Sequence, residues 1–270
     1  MSSKTYLIAW DGAIDNCLDI QNQLHDSGLE YVFYNVSSVD VNSRNWVRSE
    51  DLRYYGHFYN ALKDFCNTTH GLFVFNAGDP VYKSYAELTF KLEELFSGDS
   101  GIGLYAPGFD YDSFNGPASF LEHSSRYPGL NLATHTNGIY LAMSRDLALF
   151  MKDFLDWGTS NDRFNLRVMK SGWGLDTCYN SLAVYWNKRI YRDAEITMHH
   201  PAGSSYDNTA AFAEMNLIRR EFGNFCESRG INSNKIHAIG NMMHRKSHDR
   251  AAYQLTIEEL YPNLEGPLEA

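Results

Sequence analysis

The sequence lacks the features that would assign it to a class at a glance. Its four cysteines, Cys17, Cys66, Cys178 and Cys226, lie far apart and form no C-x-x-C pair. That argues against a structural zinc site built on thiolates. No apolar run approaches the ~18 residues of a membrane span. The opening MSSKTYLIAWDG has no charged segment followed by a long apolar one, so it does not read as a secretory leader. The expectation is a cytoplasmic protein with reduced thiols and no membrane partner. An excess of positive charge is also missing: 23 Lys and Arg stand against 33 Asp and Glu, a net charge of −10. Total charge therefore does not advertise nucleic-acid binding, although a local basic face is compatible with it. There is no internal repeat and no low-complexity tract.

What is present is apolar and aromatic. Hydrophobic residues make up 44% of the 270 residues and aromatics 14%, enough for one large domain or two small ones. The 18 tyrosines and 16 phenylalanines are unusually many. Tyrosines in such numbers suit polar, ring-binding clefts as well as half-buried core positions.

The first 107 residues alternate strand and helix patterns. TYLIAW (5–10) ends in Asp11-Gly12, and IDNCLDIQNQLHDSG is an amphipathic helix closed by Gly28. EYVFYNV (30–36) is a second strand, followed by a polar loop. A helix follows from a Ser49 cap through LRYYGHFYNALKDF, then the strand GLFVFN stops at Asn76–Pro80. YAELTFKLEELF and GIGLYAP complete the run. Such alternation predicts an α/β fold with a mainly parallel sheet flanked by helices, and ligands at the carboxyl ends of its strands. Residues 109–135, rich in Gly, Pro, Ser and Asn, read as one long loop. NGIYLAMS is a strand, and Ser144 caps the helix RDLALFMKDFLDW. A Gly-Trp-Gly segment, a helix and the strand AEITMHH follow, then a long helix from Asn208.

Three features carry chemistry. Asp79 ends a strand in NAGDP, where a carboxylate enters a cleft or simply makes a turn. In SGWGLDTCYN, Asp176 lies in the first turn of a helix, where the dipole favours negative charge. The dipole accounts for the aspartate but not for the glycines, which let a backbone approach a ligand closely, nor for Trp173, a flat face for a ring. His199 and His200 end the strand EITMHH. Neighbours on a strand point opposite ways, so at most one of the two faces the cleft, where a neutral imidazole suits a divalent metal; the alternative is one surface and one half-buried histidine.

The order strand-end Asp, Gly-Trp-Gly-x-Asp, strand-end His resembles that of glycosyltransferases of the GT-A fold, over about residues 5–206. The resemblance implies a GT-A-like (Rossmann-like) catalytic domain over 1–207. Its nucleotide-binding half would be about 1–107 and its acceptor half about 108–207, with a helical extension over 208–270. It implies transfer of a sugar from a nucleotide-diphosphate sugar, by family expectation a UDP-sugar, to an acceptor hydroxyl. Mn²⁺ or Mg²⁺ would sit on the diphosphate. Asp79 matches the metal-binding end of the family's aspartate motif and Asn76 its beginning. His199 or His200 matches the metal-binding histidine, and Asp176 the catalytic carboxylate. Trp10, Asp11, the loop with Ser37, and Arg53 and Tyr54 would take the donor. His135 and Asn137 would meet sugar hydroxyls, and Trp173 and Gly174 would receive the acceptor ring. The chain departs from the family at NAGD, which is not Asp-x-Asp. That departure supports a different class, a sugar- or nucleotide-binding module without catalysis.

The acceptor classes that remain open are a saccharide, a protein, or a hydroxymethylated or already glycosylated DNA base, as with some bacteriophage enzymes. The segment 235–250 carries Lys235, Arg245, Lys246, Arg250 and three histidines. Such a run contacts phosphate or is solvated surface. The identity of the sugar, the stereochemical outcome and the oligomeric state do not follow from the sequence.

Overall fold

The computed structural model describes residues 1–50, 53–110, 120–133, 135–200 and 207–243. Its strands are β1 (Ser3–Ala9), β2 (Tyr31–Asn35), β3 (Trp46–Arg48), β4 (Leu72–Asn76), β5 (Ile102–Phe109), β6 (Phe120–His123), β7 (Leu130–Ala133), β8 (Tyr140–Ser144) and β9 (Arg189–Met198). Its helices are α1 (Ile14–Asp26), α2 (Arg53–Cys66), α3 (Tyr85–Gly98), α4 (Arg145–Ser160), α5 (Leu175–Tyr185), α6 (Asn208–Ser228) and α7 (Ser233–Met243).

The nine strands of the described residues join one sheet in the order β3-β2-β1-β4-β8-β5-β9-β7-β6. The half built first is parallel throughout, β3 to β2 to β1 to β4. The expected mainly parallel sheet ends there. β8 runs antiparallel between β4 and β5, β5 and β9 are parallel, and β7 and β6 extend the sheet antiparallel. Every residue of β4 and β8 is buried. Their unbroken apolar runs are what a strand covered on both faces requires.

The aromatics fill this core. Phe58 of α2 meets Phe73 and Phe75 of β4 edge-on, with ring centroids 5.7 and 5.2 Å apart. Tyr6, Tyr55, Tyr105, Tyr140, Tyr179 and Tyr191 are fully buried. Tyr6 donates its hydroxyl to Asp64 at 2.8 Å and Tyr105 to Asp193 at 2.6 Å. These six tyrosines are therefore core residues, not cleft lining, and Tyr6 and Tyr105 carry a satisfied polar tip. All four cysteines are free thiols.

Three elements differ from the sequence expectation. β3 emerges from the polar loop, where Trp46 stacks on Phe33 at 4.4 Å. The expected 109–135 loop contains the β6–β7 hairpin. β9 begins at Arg189, because charges that argue against a strand are paired inside: Asp193 accepts from Lys91 at 2.6 Å and from Tyr105. The expected caps also differ. Ser49 donates to the Glu50 carbonyl, and Ser144 stands at the start of α4 but bonds the Asp146 carboxylate at 2.6 Å. α6 and α7 continue the core: Phe222 and Phe225 of α6 pack on Phe150 and Phe154 of α4. Among the described residues no helix is long and apolar enough to cross a membrane.

The registers bring one set of termini together. Ala9 pairs Asn35, Leu7 pairs Asn76, Asn76 pairs Tyr140, and Phe109 pairs Met198. The carboxyl ends of β1, β2, β4, β5 and β9, and the start of β8, thus share one edge.

Candidate active site

The loop after β4 is shaped by its own sequence. Asn76 is fully buried, and its side-chain oxygen accepts the Gly78 N–H at 2.7 Å. Gly78 has φ +93°, and a Cβ there would lie 1.9 Å from the Ile8 carbonyl oxygen, so only glycine fits. Asn16 of α1 donates to the carbonyls of Gly78 and Pro80 at 2.9 and 2.8 Å. The turn delivers Asp79 half-buried to the edge. Val81 and His199 then exchange backbone hydrogen bonds of 2.8 and 3.0 Å, which bring the end of β9 against it. Asp79 Oδ2 lies 3.3 Å from His200 Nε2.

The two histidines divide as strand alternation demands. The His200 side chain is 9% exposed and faces Asp79, whereas that of His199 is 65% exposed and meets Asp110 Oδ2 at 2.5 Å. Asp110 directly follows β5 and also accepts the His200 N–H at 3.0 Å. That backbone bond, and then the His199 side chain, hold the Asp110 carboxyl below the usual range.

The Gly-Trp-Gly segment is braced from two helices. Tyr54 of α2 donates to the Gly138 carbonyl at 2.5 Å, and a Cβ on Gly172 would lie 2.3 Å from its ring. Tyr55 donates to the Trp173 carbonyl. From α6, Glu214 accepts the N–H groups of Lys170 and Ser171 at 3.0 and 2.9 Å and the Ser171 hydroxyl at 2.6 Å. Gly174 has φ +96° and abuts the Met215 backbone. Trp173 meets Phe212 of α6 edge-on at 5.2 Å.

Asp176 is therefore fixed. Its Oδ1 accepts the N–H groups of Gly174 at 3.1 Å and Thr177 at 2.7 Å. Its Oδ2 lies 3.6 Å from His135 Nε2, and the two side chains are 26% and 22% exposed. Asn180, one turn further along α5 and fully buried, clamps both. It accepts from Thr136 N–H and hydroxyl at 3.0 and 3.2 Å, and donates to the Thr136 and Asp176 carbonyls at 2.8 Å each.

Other expected site residues are placed differently. Ser37 is buried and bonds Asn35 Oδ1 at 2.7 Å, so its hydroxyl shapes the β2 loop. Asn137 is buried and accepts the Ile139 N–H at 3.1 Å, a turn role. Asn76 is likewise a turn residue. Tyr54, expected on the donor side, is wedged between Gly138 and Gly172. Asp11 is exposed and accepts the Ser38 N–H and hydroxyl at 2.6 and 2.8 Å, which lower its pKa. Trp10 is 41% exposed beside it. The Arg53 side chain and the stretch 244–270, including Arg245, Lys246 and Arg250, lie outside the described residues. Lys235 lies on α7 over the Tyr185 ring at 5.5 Å.

Residues not anticipated are Asn16, Tyr55, Asp110, Asn180 and Glu214. Asp110 carried a signal, being a carboxylate at a strand's end. So did Asn180, four residues after Asp176 on one helix face. Asn16, Tyr55 and Glu214 act across the fold and carried none.

The residues also fit a divalent cation in part. Asp79 Oδ1 is buried without a hydrogen-bond partner among the described residues, on the carboxylate that faces His200. No cluster of three or more His, Cys, Asp or Glu among the described residues forms a complete metal site. The protein would thus supply two ligands, with phosphate oxygens and water taking the rest.

No protein-family model matches the chain, and no curated protein matches it. Solved structures do. GalNAc-T7, with UDP, GalNAc and Mn²⁺, is 9% identical over 97% of this chain and 57% of that one, with a TM-score of 0.54. A197 from STIV is 12% identical over 75% of this chain and 87% of that one, with a TM-score of 0.41. A glycosyltransferase involved in the glycosylation of the major capsid of PBCV-1 is 9% identical over 80% of this chain and 100% of that one, also at 0.41. At a TM-score of 0.54, the likeness to GalNAc-T7 shows that the chain has a GT-A-like fold.

Proposed function

We propose that this chain, with its GT-A-like fold, transfers a sugar from a nucleotide-diphosphate sugar to an acceptor hydroxyl. The observation that carries the reading is the pair of carboxylate–imidazole contacts at one sheet edge. Asp79 with His200 sits at the ends of β4 and β9, and Asp176 with His135 at the start of α5 and before β8.

Asp79 and His200 would hold Mn²⁺ or Mg²⁺, which when bound neutralises charge on the leaving diphosphate. Trp10, exposed at the end of β1, offers a face to the base of a UDP-sugar. Trp173 offers one to the acceptor ring. The acceptor oxygen bonds to the anomeric carbon, the bond from that carbon to the diphosphate oxygen breaks, and Asp176 Oδ2 takes the hydroxyl proton. In a retaining outcome the same carboxylate stabilises the positive sugar centre. His135 and Asn180 keep Asp176 in place. Saccharides, proteins and hydroxymethylated DNA bases are the acceptor classes to screen.

The buried Asn76 favours a second reading. It cannot stand in for the missing first aspartate while its oxygen closes the turn, so a binding module without catalysis is the competitor. One experiment separates the two. With UDP-sugars and Mn²⁺, UDP release is measured for the wild type and for Asp176→Asn, alongside UDP affinity. We expect turnover in the wild type, a loss of about 10²–10⁴-fold in the variant, and unchanged UDP affinity. Nucleotide binding without turnover from any donor would leave the binding module.

A further inference from the structure

α2 has a second working face. Tyr54 and Tyr55 brace the Gly-Trp-Gly segment, while Gly56, Tyr59, Asn60 and Lys63 line a cavity of about 590 Å³. The opposite walls come from the end of β3, with Arg48 and Glu50, and from Asn165 and Arg167 in the connection between α4 and α5. None of Asp79, His200, Asp176 or His135 lines it. Its size falls within the range of about 300–1,000 Å³ typical of small-molecule sites.

The chemistry of these walls runs against that of the chain. The protein carries a net charge of −10, yet among the described residues three cations and one carboxylate line the cavity. Among the described residues the carboxylates nearby are committed. Asp156, which accepts the Tyr59 hydroxyl at 2.5 Å, is neutralised by Lys152 at 2.6 Å. Asp40 holds Arg48 at 2.9 Å. Glu50 is 3.7 Å from Arg167, with side chains 69% and 76% exposed, and a pair so solvated is worth little and yields readily to a better anion. Lys63 Nζ lies 5.1 Å from the Tyr59 ring centroid, so an aromatic face and a cation share one wall. Asn60 and Asn165 add carboxamides, which both donate to and accept from sugar hydroxyls.

We propose that this cavity is a second small-molecule site, for a phosphorylated monosaccharide. Lys63 and Arg167 take the phosphate, and Asn60 and Asn165 take the hydroxyls. The site is independent of the transfer reaction at the strand ends.

The test is calorimetry with glucose 6-phosphate, glucose and inorganic phosphate. The proteins are the wild type, a Lys63→Ala/Arg167→Ala double variant, and Asp176→Asn. Both basic side chains are exposed, and a melting curve checks that the double variant folds. Charge-assisted hydrogen bonds are worth a factor of about ten or more each. We expect one site for glucose 6-phosphate, at least about tenfold weaker binding of glucose and of inorganic phosphate, and a similar loss in the double variant. Asp176→Asn should bind as the wild type does. No binding of glucose 6-phosphate, binding that survives the double substitution, or equal affinity for inorganic phosphate would each overturn the proposal.

Discussion

His200 Nε2 lies 3.3 Å from Asp79 Oδ2 although 121 residues separate them in sequence. The contact is fixed by backbone, because Val81 and His199 pair as an isolated antiparallel bridge. Glycine at position 78 makes the turn, Asn16 pins it, and strand alternation then turns His200 inward and His199 outward. The Asp79–His200 pair is therefore preorganised by the fold, as the proposed donor site requires.

Asn180 holds the segments that carry His135 and Asp176, and in the proposed reaction it is a positioning residue. Asn180→Ala removes four hydrogen bonds from a fully buried position. A single buried group left unpaired costs about 1–3 kcal/mol, so a loss of about 2–4 kcal/mol in unfolding free energy is expected. Turnover should fall by about 10²-fold, because a 1 Å displacement of a reacting group costs that much. UDP affinity should stay unchanged. Urea unfolding, steady-state rates and nucleotide titration check the three parts. Normal turnover would show that Asp176 is held by its own two backbone contacts alone.

Asp99 ties the second half of the sheet together. It accepts from Arg126 and the Tyr127 hydroxyl at 2.9 and 3.0 Å, from the Gly101 N–H at 2.9 Å, and from Arg189. The Asp99, Arg126 and Arg189 side chains are 8%, 8% and 11% exposed. Asp99→Ala leaves two buried guanidinium groups without their carboxylate, at a cost of about 3–5 kcal/mol. Denaturant unfolding measures this. Because the network lies at the end of β5 away from the candidate site, nucleotide affinity of the folded fraction should be that of the wild type.

His237 makes the docking of α7 sensitive to pH. Burial lowers its pKa, and Arg219 lowers it further, against a smaller opposite effect of Glu227. The ring also fills the space over Gly223, where a Cβ would lie 2.3 Å from Nε2. The folded state therefore favours neutral imidazole. That stabilisation is complete above the unfolded value of about 6.5. It is lost as pH falls through that value and the lower folded one. Amide exchange across α7 should be faster at about pH 5.5 than at about pH 7.5, after correction for intrinsic rates. His237→Gln should remove most of the difference. Equal protection of α7 at the two pH values would show that His237 does not gate it.

Apart from β3, the strands and helices up to residue 107 were legible because each is a local pattern: apolar runs of strand length, helical spacing, and glycine at the ends. Asp79, Asp176 and His200 were legible for the same reason, as polar residues punctuating those patterns. The antiparallel insertion of β8 was not, since NGIYLAMS reads as a strand in either direction and only its partners fix its sense. β9 was cut short because the buried Asp193 is paired with Lys91 and Tyr105, which lie 102 and 88 residues away in sequence. Ser37, Asn76 and Asn137 were read as ligand contacts because side-chain amides and hydroxyls at strand ends serve both ligands and turns. Their bonds to local backbone and side chains place them with the turns.

The central claim is that Asp79 and His200 bind the nucleotide's diphosphate through a divalent cation. The most direct measurement is calorimetric titration of UDP, with and without Mn²⁺, into the wild type and Asp79→Ala. Two protein ligands predict weak binding of Mn²⁺ alone and clear binding of UDP only when Mn²⁺ is present. Even outer-shell changes cost metal sites about 10–100-fold, so the variant should lose at least that much affinity. UDP binding that is indifferent to Mn²⁺ and equal in Asp79→Ala, or no UDP binding at all, would contradict the claim.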